Sequence, residues 1–171
     1  MSFGDYVKKG WEVVQLKKDA IQMLADDDGA FGPALGIIAI GGVCLAIGTF
    51  NWPGIVYLPI VRLIGAFIMV AIMHFCATAF FGGQGKFKQV FSPLGCATLI
   101  TWVSIIPVLG WPLAVLSGLW LLVVAVVIVE HVHQIERAKA IAVVAIPVVI
   151  VIVIMGITMA MVGLTALALM R

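Results

Sequence analysis

Residues 140–170 read AIAVVAIPVVIVIVIMGITMAMVGLTALALM and contain no charged side chain. A helix needs about 20 apolar residues to cross the hydrocarbon core of a bilayer, so this stretch predicts a transmembrane helix long enough to tilt or protrude. Pro147 lies inside it and predicts a kink. The whole chain shares this character, since 64% of its 171 residues are hydrophobic and 11% are charged. A soluble domain could not bury so much apolar surface, so lipid must solvate most of the chain.

Four further apolar stretches precede residues 140–170, and turns or charged loops separate them. They run from Pro33 to Phe50, from Ile55 to Phe81, from Pro93 to Leu109 and from Leu113 to Val129. At about 1.5 Å per residue each can cross the hydrocarbon core, although the first and third only just reach. The predicted fold is therefore all-α, a polytopic bundle of about five transmembrane helices over residues 31–171, preceded by an N-terminal cytoplasmic segment over residues 1–30.

The distribution of basic residues predicts the orientation in the membrane. A cytoplasmic N-terminus places eight of the ten basic residues on the inner side, namely Lys8, Lys9, Lys17, Lys18, Lys86, Lys88, Arg137 and Lys139. Only Arg62 and Arg171 then lie toward the outer side. Cytoplasmic loops are enriched in Lys and Arg, so we expect the N-terminus inside and the C-terminus outside.

The N-terminal segment has the pattern of an amphipathic helix over residues 2–25, with Ser2 as its N-cap. Aromatic and aliphatic residues recur at three- and four-residue steps, and lysines flank this stripe. Two interpretations stay open. The favoured one is an interfacial helix that inserts its aromatics and holds its lysines at the lipid headgroups. The other is a short helix packed on the bundle.

Ionisable residues at membrane depth are costly and are candidates for function. Arg62 lies two turns into the second span, and we expect its long stem to extend outward toward the membrane surface. His74 lies deeper in that span, and Glu130 closes the fourth span, followed by His133. A hydrogen bond between His74 and Glu130, together with His133, is the predicted polar site. It would serve as a structural contact, a proton or ligand site, or a metal site.

Other kinds of chemistry find no support in the sequence. Cys44, Cys76 and Cys96 lie in apolar stretches without metal-ligand spacing, so we interpret them as packing residues. The sequence contains no nucleophile motif, phosphate-binding loop or metalloprotease motif. We therefore expect no catalytic residue, no cofactor and no metal. The net charge of +2 is too small to indicate a nucleic-acid partner.

Several short motifs point to a known family. Residues 81–88 read FGGQGKFK, residues 106–110 read IPVLG, residues 119–120 read LW, residues 130–135 read EHVHQI and residues 137–140 read RAKA. In this order, and with five spans behind a cytosolic N-terminus, the chain resembles the Yip1 domain family of polytopic membrane proteins. The motifs carry the resemblance between His74 and Pro147, and topology alone carries it elsewhere.

The resemblance implies a membrane protein without enzymatic activity. Eukaryotic members of the family are linked to vesicle traffic and to small GTPases of the Rab type, through a longer N-terminal region than residues 1–30 provide. The compact chain is more similar to prokaryotic members, which implies a bacterial or archaeal plasma membrane. We therefore expect a scaffold or adaptor for membrane organisation or trafficking.

Its cytoplasmic face would bind lipids, a second copy or another membrane protein through Trp11, Lys17, Lys18, Lys86, Lys88, Arg137 and Lys139. The alternatives are an oligomeric permease for ions or small molecules that uses His74 and Glu130, and a membrane-shaping protein that uses the N-terminal helix.

Overall fold

The computed structural model describes residues 1–169, and every α-helix and 3-10 helix in it belongs to one bundle. The α-helices are α1 (Phe3–Val14), α2 (Lys18–Asp26), α3 (Phe31–Gly48), α4 (Gly54–Phe81), α5 (Phe87–Ala97), α6 (Gly110–His133) and α7 (Arg137–Leu169). Short 3-10 helices cover Asp28–Ala30 and Thr98–Ile105. The predicted all-α fold is confirmed. The predicted end of the fifth span at Met170, and Arg171 after it, lie outside the described residues.

Four helices are long and apolar enough to cross a membrane. They are Asp28–Gly48, Gly54–Phe81, Gly110–His133 and Arg137–Val162, with hydropathies of 2.2, 2.4, 2.7 and 3.2. The chain is therefore a multi-pass membrane protein. We call the end at residues 82–86 and 134–136 the inner end, following the orientation that the basic residues predict. The opposite end, at residues 49–53 and 106–109, is the outer end.

The third predicted span is built differently from the other four. α5 begins at Phe87, so residues 87–92, which we expected in a loop, are helical, and after Ala97 the chain continues as the 3-10 helix. β-branched residues such as Thr98, Thr101 and Val103 are poor α-helix formers. The hydroxyls of Thr98 and Thr101 also donate to carbonyls three residues back, at 2.7 and 2.8 Å.

A 3-10 helix rises about 2.0 Å per residue, so this segment and α5 together extend about 32 Å and still match the thickness of the hydrocarbon core. About five spans is therefore consistent with the structure, although one of them changes from α to 3-10 geometry halfway.

The N-terminal segment is two helices rather than the single helix that we predicted. The chain turns at Leu16, which has φ 63, a left-handed conformation that interrupts the helix. We call α1 and α2 the N-terminal hairpin. Its apolar residues Tyr6, Val13, Ile21 and Leu24 are buried in the same core as the spans. Of the two interpretations, the structure therefore has the one in which this segment packs on the bundle, because its apolar side is covered by protein.

The N-terminal hairpin covers α5, which is the central element of the bundle. α5 packs against α1, α2, α3, α4 and α6, and it buries Val90, Phe91, Cys96 and Ala97. α1 approaches very closely, because a Cβ at Gly10 would lie 2.5 Å from the carbonyl oxygen of Cys96. α4 and the far half of α7 lie on the other side and expose apolar side chains. The cysteines Cys44, Cys76 and Cys96 are buried and free.

Candidate functional site

Two histidines meet near the inner end of the bundle. His74 lies on α4 and His133 is the last residue of α6, and their ring centroids are 5.3 Å apart. His133 is 1% exposed. Phe87, the first residue of α5, borders the pair, with its ring centroid 6.2 Å from that of His74. The two imidazoles are therefore enclosed by three helices.

The glycine loop at residues 82–86 is shaped around His133. Gly82 ends α4 in a left-handed conformation with φ 67, and the backbone N–H of Gly85 then donates to His133 Nδ1 at 3.2 Å. A Cβ at Gly83 would lie 2.7 Å from the same nitrogen, and one at Gly85 would lie 2.6 Å from Val132 Cγ1. Each glycine of the FGGQG motif therefore has a geometric reason, since the loop must lie flat against the end of α6.

This contact determines the protonation pattern of the neutral His133 ring. Because Nδ1 accepts a hydrogen bond, the proton lies on Nε2. Nε2 is buried without a hydrogen-bond partner, and so is Nδ1 of His74 on the neighbouring ring. A buried polar atom without a partner costs about 1 to 3 kcal/mol. The two nitrogens without partners therefore make this pair a costly polar contact inside the bundle.

Glu130 does not join the two histidines. Its Oε2 accepts from Arg137 Nε at 2.9 Å, across the turn between α6 and α7. Of the three predicted site residues, the structure brings together His74 and His133 and pairs Glu130 with Arg137. Within the described residues there is no group of three or more His, Cys, Asp or Glu side chains that could hold a metal ion.

A second polar feature at the inner end was missed from the sequence. A cavity of about 210 Å³ is bordered by His131 and by four glutamines, Gln22, Gln84, Gln89 and Gln134. Nε2 of His131 is buried there without a partner. The signal was present in the sequence, because the glutamines flank the two inner loops and α2. Only the tertiary fold shows that they share one cavity.

The predicted contact residues fall into two groups by their ion pairs. Lys88 pairs with Asp28 at 2.8 Å, Arg137 with Glu130 at 2.9 Å and Lys139 with Glu136 at 3.7 Å. Exposed lysines without an ion-pair partner among residues 1–169 are Lys8, Lys17, Lys18 and Lys86. Trp11 is 50% exposed and borders a groove lined by Leu99, Val103 and Leu116.

The hairpin is tied to the start of α3 by a polar contact. Tyr6 donates its hydroxyl to Asp27 Oδ2 at 2.8 Å, and the N–H of Gly29 donates to Asp27 Oδ1 at 2.8 Å. These two donors, the tyrosine first, hold the pKa of Asp27 below its usual value. The ionised carboxylate therefore fastens α1 to the first membrane span.

Arg62 does not extend outward as we expected. Its Nη1 donates to Thr101 Oγ1 at 2.8 Å, inside the bundle. Gly41 leaves the space for this contact, because a Cβ there would lie 2.6 Å from Nη1. The prediction of an outward-directed Arg62 was wrong, since a polar partner within the protein is available to it.

These features define a polytopic α-helical membrane protein whose N-terminal hairpin covers one flank of the bundle and whose glycine loop packs on the inner end of α6. A family model for the Yip1 domain matches residues 3–158, so the chain belongs to the Yip1 domain family. The match includes the hairpin as well as the spans, and it confirms the resemblance noted from the motifs. Neither the comparison with curated proteins nor the comparison with solved structures found a match.

Proposed function

We propose that this Yip1 domain protein is a non-enzymatic membrane scaffold or adaptor that binds partner proteins or lipids through its cytoplasmic face. The observation that carries this proposal is a polar hairpin fixed to an apolar bundle. The exposed side of the hairpin presents Lys8, Lys17 and Lys18 without ion-pair partners among residues 1–169. Lysines outside direct ion pairs are available to acidic partners and to anionic headgroups.

The attachment of the hairpin supports a contact surface of fixed shape. Val13 and Leu24 are 0% exposed, and Trp120 Nε1 donates to the carbonyl of Val14 at 3.0 Å. A surface whose backbone is held in place loses little conformational entropy when a partner binds. The hairpin therefore suits recognition better than a free amphipathic helix would.

The surroundings of the histidine pair favour a scaffold over a permease. A cavity of about 160 Å³ lies in the bundle on the outer side of the pair, and apolar side chains such as Met69, Met73 and Leu122 line it. An ion that enters such a space would lose its hydration without gaining ligands. We therefore assign His74 and His133 a role in holding the glycine loop, which carries Lys86 at the inner end.

The location follows from the same features. We place the protein in a prokaryotic plasma membrane, and the inner cations support an orientation with the N-terminus in the cytoplasm and the C-terminus outside. In this orientation the hairpin, the glycine loop and the turn between α6 and α7 all begin at the cytoplasmic side.

The test compares two triple variants that remove the same charge. The first is Lys17→Gln, Lys18→Gln and Lys86→Gln, which removes cations without partners. The second is Lys88→Gln, Arg137→Gln and Lys139→Gln, which removes cations that are already paired. Native mass spectrometry after gentle release from the host membrane reads bound proteins and lipids. We expect the first variant to lose at least three-quarters of the bound species and the second to keep most of it. Equal retention by both variants would contradict the proposal.

A further inference from the structure

Arg62 is a cation held inside the bundle in its outer half. It lies two turns into α4 from Gly54, which is about 12 Å along the helix axis. Its side chain reaches across to the 3-10 helix, where it donates to Thr101, which is 3% exposed. The glycine at position 41 of α3 makes room for the guanidinium. Three elements therefore shape a site around this one charge.

No carboxylate among residues 1–169 balances this charge. The eight acidic residues lie in the hairpin, at its junction with α3 or at the inner ends of α6 and α7: Asp5, Glu12, Asp19, Asp26, Asp27, Asp28, Glu130 and Glu136. None of the ion pairs among residues 1–169 includes Arg62. An arginine at membrane depth without a counter-charge is costly, so a bound anion would stabilise it.

An apolar cavity lies one helical turn inward of Arg62. The cavity has a volume of about 160 Å³, and its lining includes Ala66, Ile38 and Thr98. Each of these lies one turn inward from a residue of the Arg62 site. Ala66 follows Arg62 on α4, Ile38 precedes Gly41 on α3, and Thr98 precedes Thr101 on the 3-10 helix.

The 3-10 geometry aligns Thr98 with Thr101. A 3-10 helix has 3.0 residues per turn, so side chains at i and i+3 are aligned along its axis, whereas an α-helix would rotate them apart. Thr98 and Thr101 therefore stand one above the other. On all three elements, the Arg62 site therefore lies one helical turn outward from the apolar lining of the cavity.

We propose that the Arg62 site and the cavity below it together bind an anionic membrane amphiphile, with its head on Arg62 and its hydrocarbon chain in the cavity. A planar guanidinium presents several N–H donors, and it binds a carboxylate or a phosphate through two of them. Thr101 already accepts one N–H, and the remaining donors are directed to the head. The lining residues Met69, Val70 and Leu121 supply apolar contacts for the chain.

The first test uses the wild-type protein and four single-chain probes. The purified protein is delipidated, incubated with oleate, lysophosphatidylglycerol, lysophosphatidylcholine or methyl oleate, and examined by native mass spectrometry. We expect one molecule of an anionic probe per protein, held at least ten-fold more tightly than methyl oleate or lysophosphatidylcholine. Preference for oleate identifies a carboxylate head, and preference for lysophosphatidylglycerol identifies a phosphate head. Equal retention of methyl oleate and the anionic probes overturns the proposal.

The second test separates the two parts of the site. Arg62→Gln should weaken binding of the anionic probe at least ten-fold, and Arg62→Lys should retain part of the binding that Arg62→Gln loses. Ala125→Phe fills the cavity without touching the charge, since Ala125 lines it, and it should also abolish one-to-one binding. Lys9→Gln is the control, because it removes a cation of the hairpin that is paired with Glu12 at 2.8 Å, and it should leave binding unchanged. If Arg62→Gln and Ala125→Phe both bind like the wild type, the site does not exist. If Arg62→Gln fails to fold, Ala125→Phe and the probe series decide.

Discussion

The two flanks of the bundle differ in the polarity of the side chains that they expose. On one flank the N-terminal hairpin covers α5 and exposes charged residues such as Lys17, Lys18 and Asp19. On the other flank α4 and α7 expose apolar side chains, among them Val61, 56% exposed, and Ile152, 63% exposed. The lipid-facing surface therefore does not surround the molecule evenly.

The N-terminal hairpin lies along the side of the bundle, and its position can be measured along α6. The carbonyl of Val14 accepts a hydrogen bond from Trp120, which lies about 15 Å along α6 from its outer start at Gly110. The charged hairpin thus reaches far along the bundle. Hydrocarbon cannot solvate charged side chains, so protein or water must cover this flank. The comparison teaches that the polar contact surface extends along one side of the bundle and is not confined to the inner end.

The largest expected effect comes from detaching the hairpin. In Gly10→Val the new side chain meets the carbonyl of Cys96, so α1 can no longer pack on α5, and we expect a loss of about 3 kcal/mol. Hydrogen exchange of the α1 amides measures it. Gly4→Val is the matched control on the same helix, because only Ser2 Oγ approaches that position, at 3.8 Å. Similar exchange in the two variants would show that the hairpin is not docked as described.

The apolar flank has its own close contact between α3 and α4. A Cβ at Gly42 would lie 2.6 Å from the backbone nitrogen of Pro59, whereas one at Gly65 meets nothing within 4 Å. We expect Gly42→Ala to lower the free energy of unfolding by about 2 kcal/mol, because backbone atoms cannot move aside. Gly65→Ala should leave it unchanged or raise it. Thermal unfolding of both variants in one detergent decides, and equal midpoints would argue against the α3–α4 packing.

A single hydrogen bond joins the hairpin to α6. Trp120→Phe removes the donor to the carbonyl of Val14 while keeping an aromatic ring, and we expect a cost of about 1 kcal/mol. Trp111→Phe serves as the comparison, since Trp111 is 69% exposed at the outer end. Proteolysis at Lys17 and Lys18 should become faster only in Trp120→Phe. Faster cleavage in both variants would indicate general loosening instead.

The smallest effect is a pH dependence of the same docking. The pKa of Asp27 is lowered in the folded chain, so its stabilising contribution is present above the ordinary Asp pKa of about 3.9 and is lost as pH falls through the folded value. The protection of the α1 amides against hydrogen exchange, relative to the intrinsic rate at each pH, should therefore fall below about pH 4. Tyr6→Phe removes the main donor and should weaken this acid response, while Tyr57→Phe should not. If Tyr6→Phe responds to acid as the wild type does, the hydrogen bond from Tyr6 is not the cause of the acid response.

Hydropathy predicted the long spans well, because lipid selects apolar residues whatever their neighbours. The second span was expected from Ile55 and α4 begins at Gly54. Hydropathy could not predict the change from α to 3-10 geometry after Ala97, however, because both kinds of helix can be equally apolar. The break at Leu16 was equally invisible, because a leucine rarely takes a left-handed conformation and nothing local requires it.

The candidate site could be predicted only in part, for a similar reason. Depth along the spans indicated that His74, Glu130 and His133 lie near one end, but it could not say which of them touch. That choice depends on how helices rotate about their axes, which turned Glu130 toward Arg137 and His133 toward the glycine loop. Arg62 was misplaced because its partner Thr101 is distant in sequence.

The most direct test of the contrast between the flanks is spin-label accessibility in lipid bilayers. The three native cysteines are replaced by alanine, and a spin label is attached at Lys18→Cys or at Ile64→Cys. The measurement compares the relaxation of each label by a water-soluble nickel chelate with its relaxation by oxygen dissolved in the membrane. We predict nickel-dominated relaxation at position 18 without a partner present, and oxygen-dominated relaxation at position 64. If position 18 responds to oxygen as strongly as position 64 does, lipid covers the hairpin and the account of a polar flank is wrong.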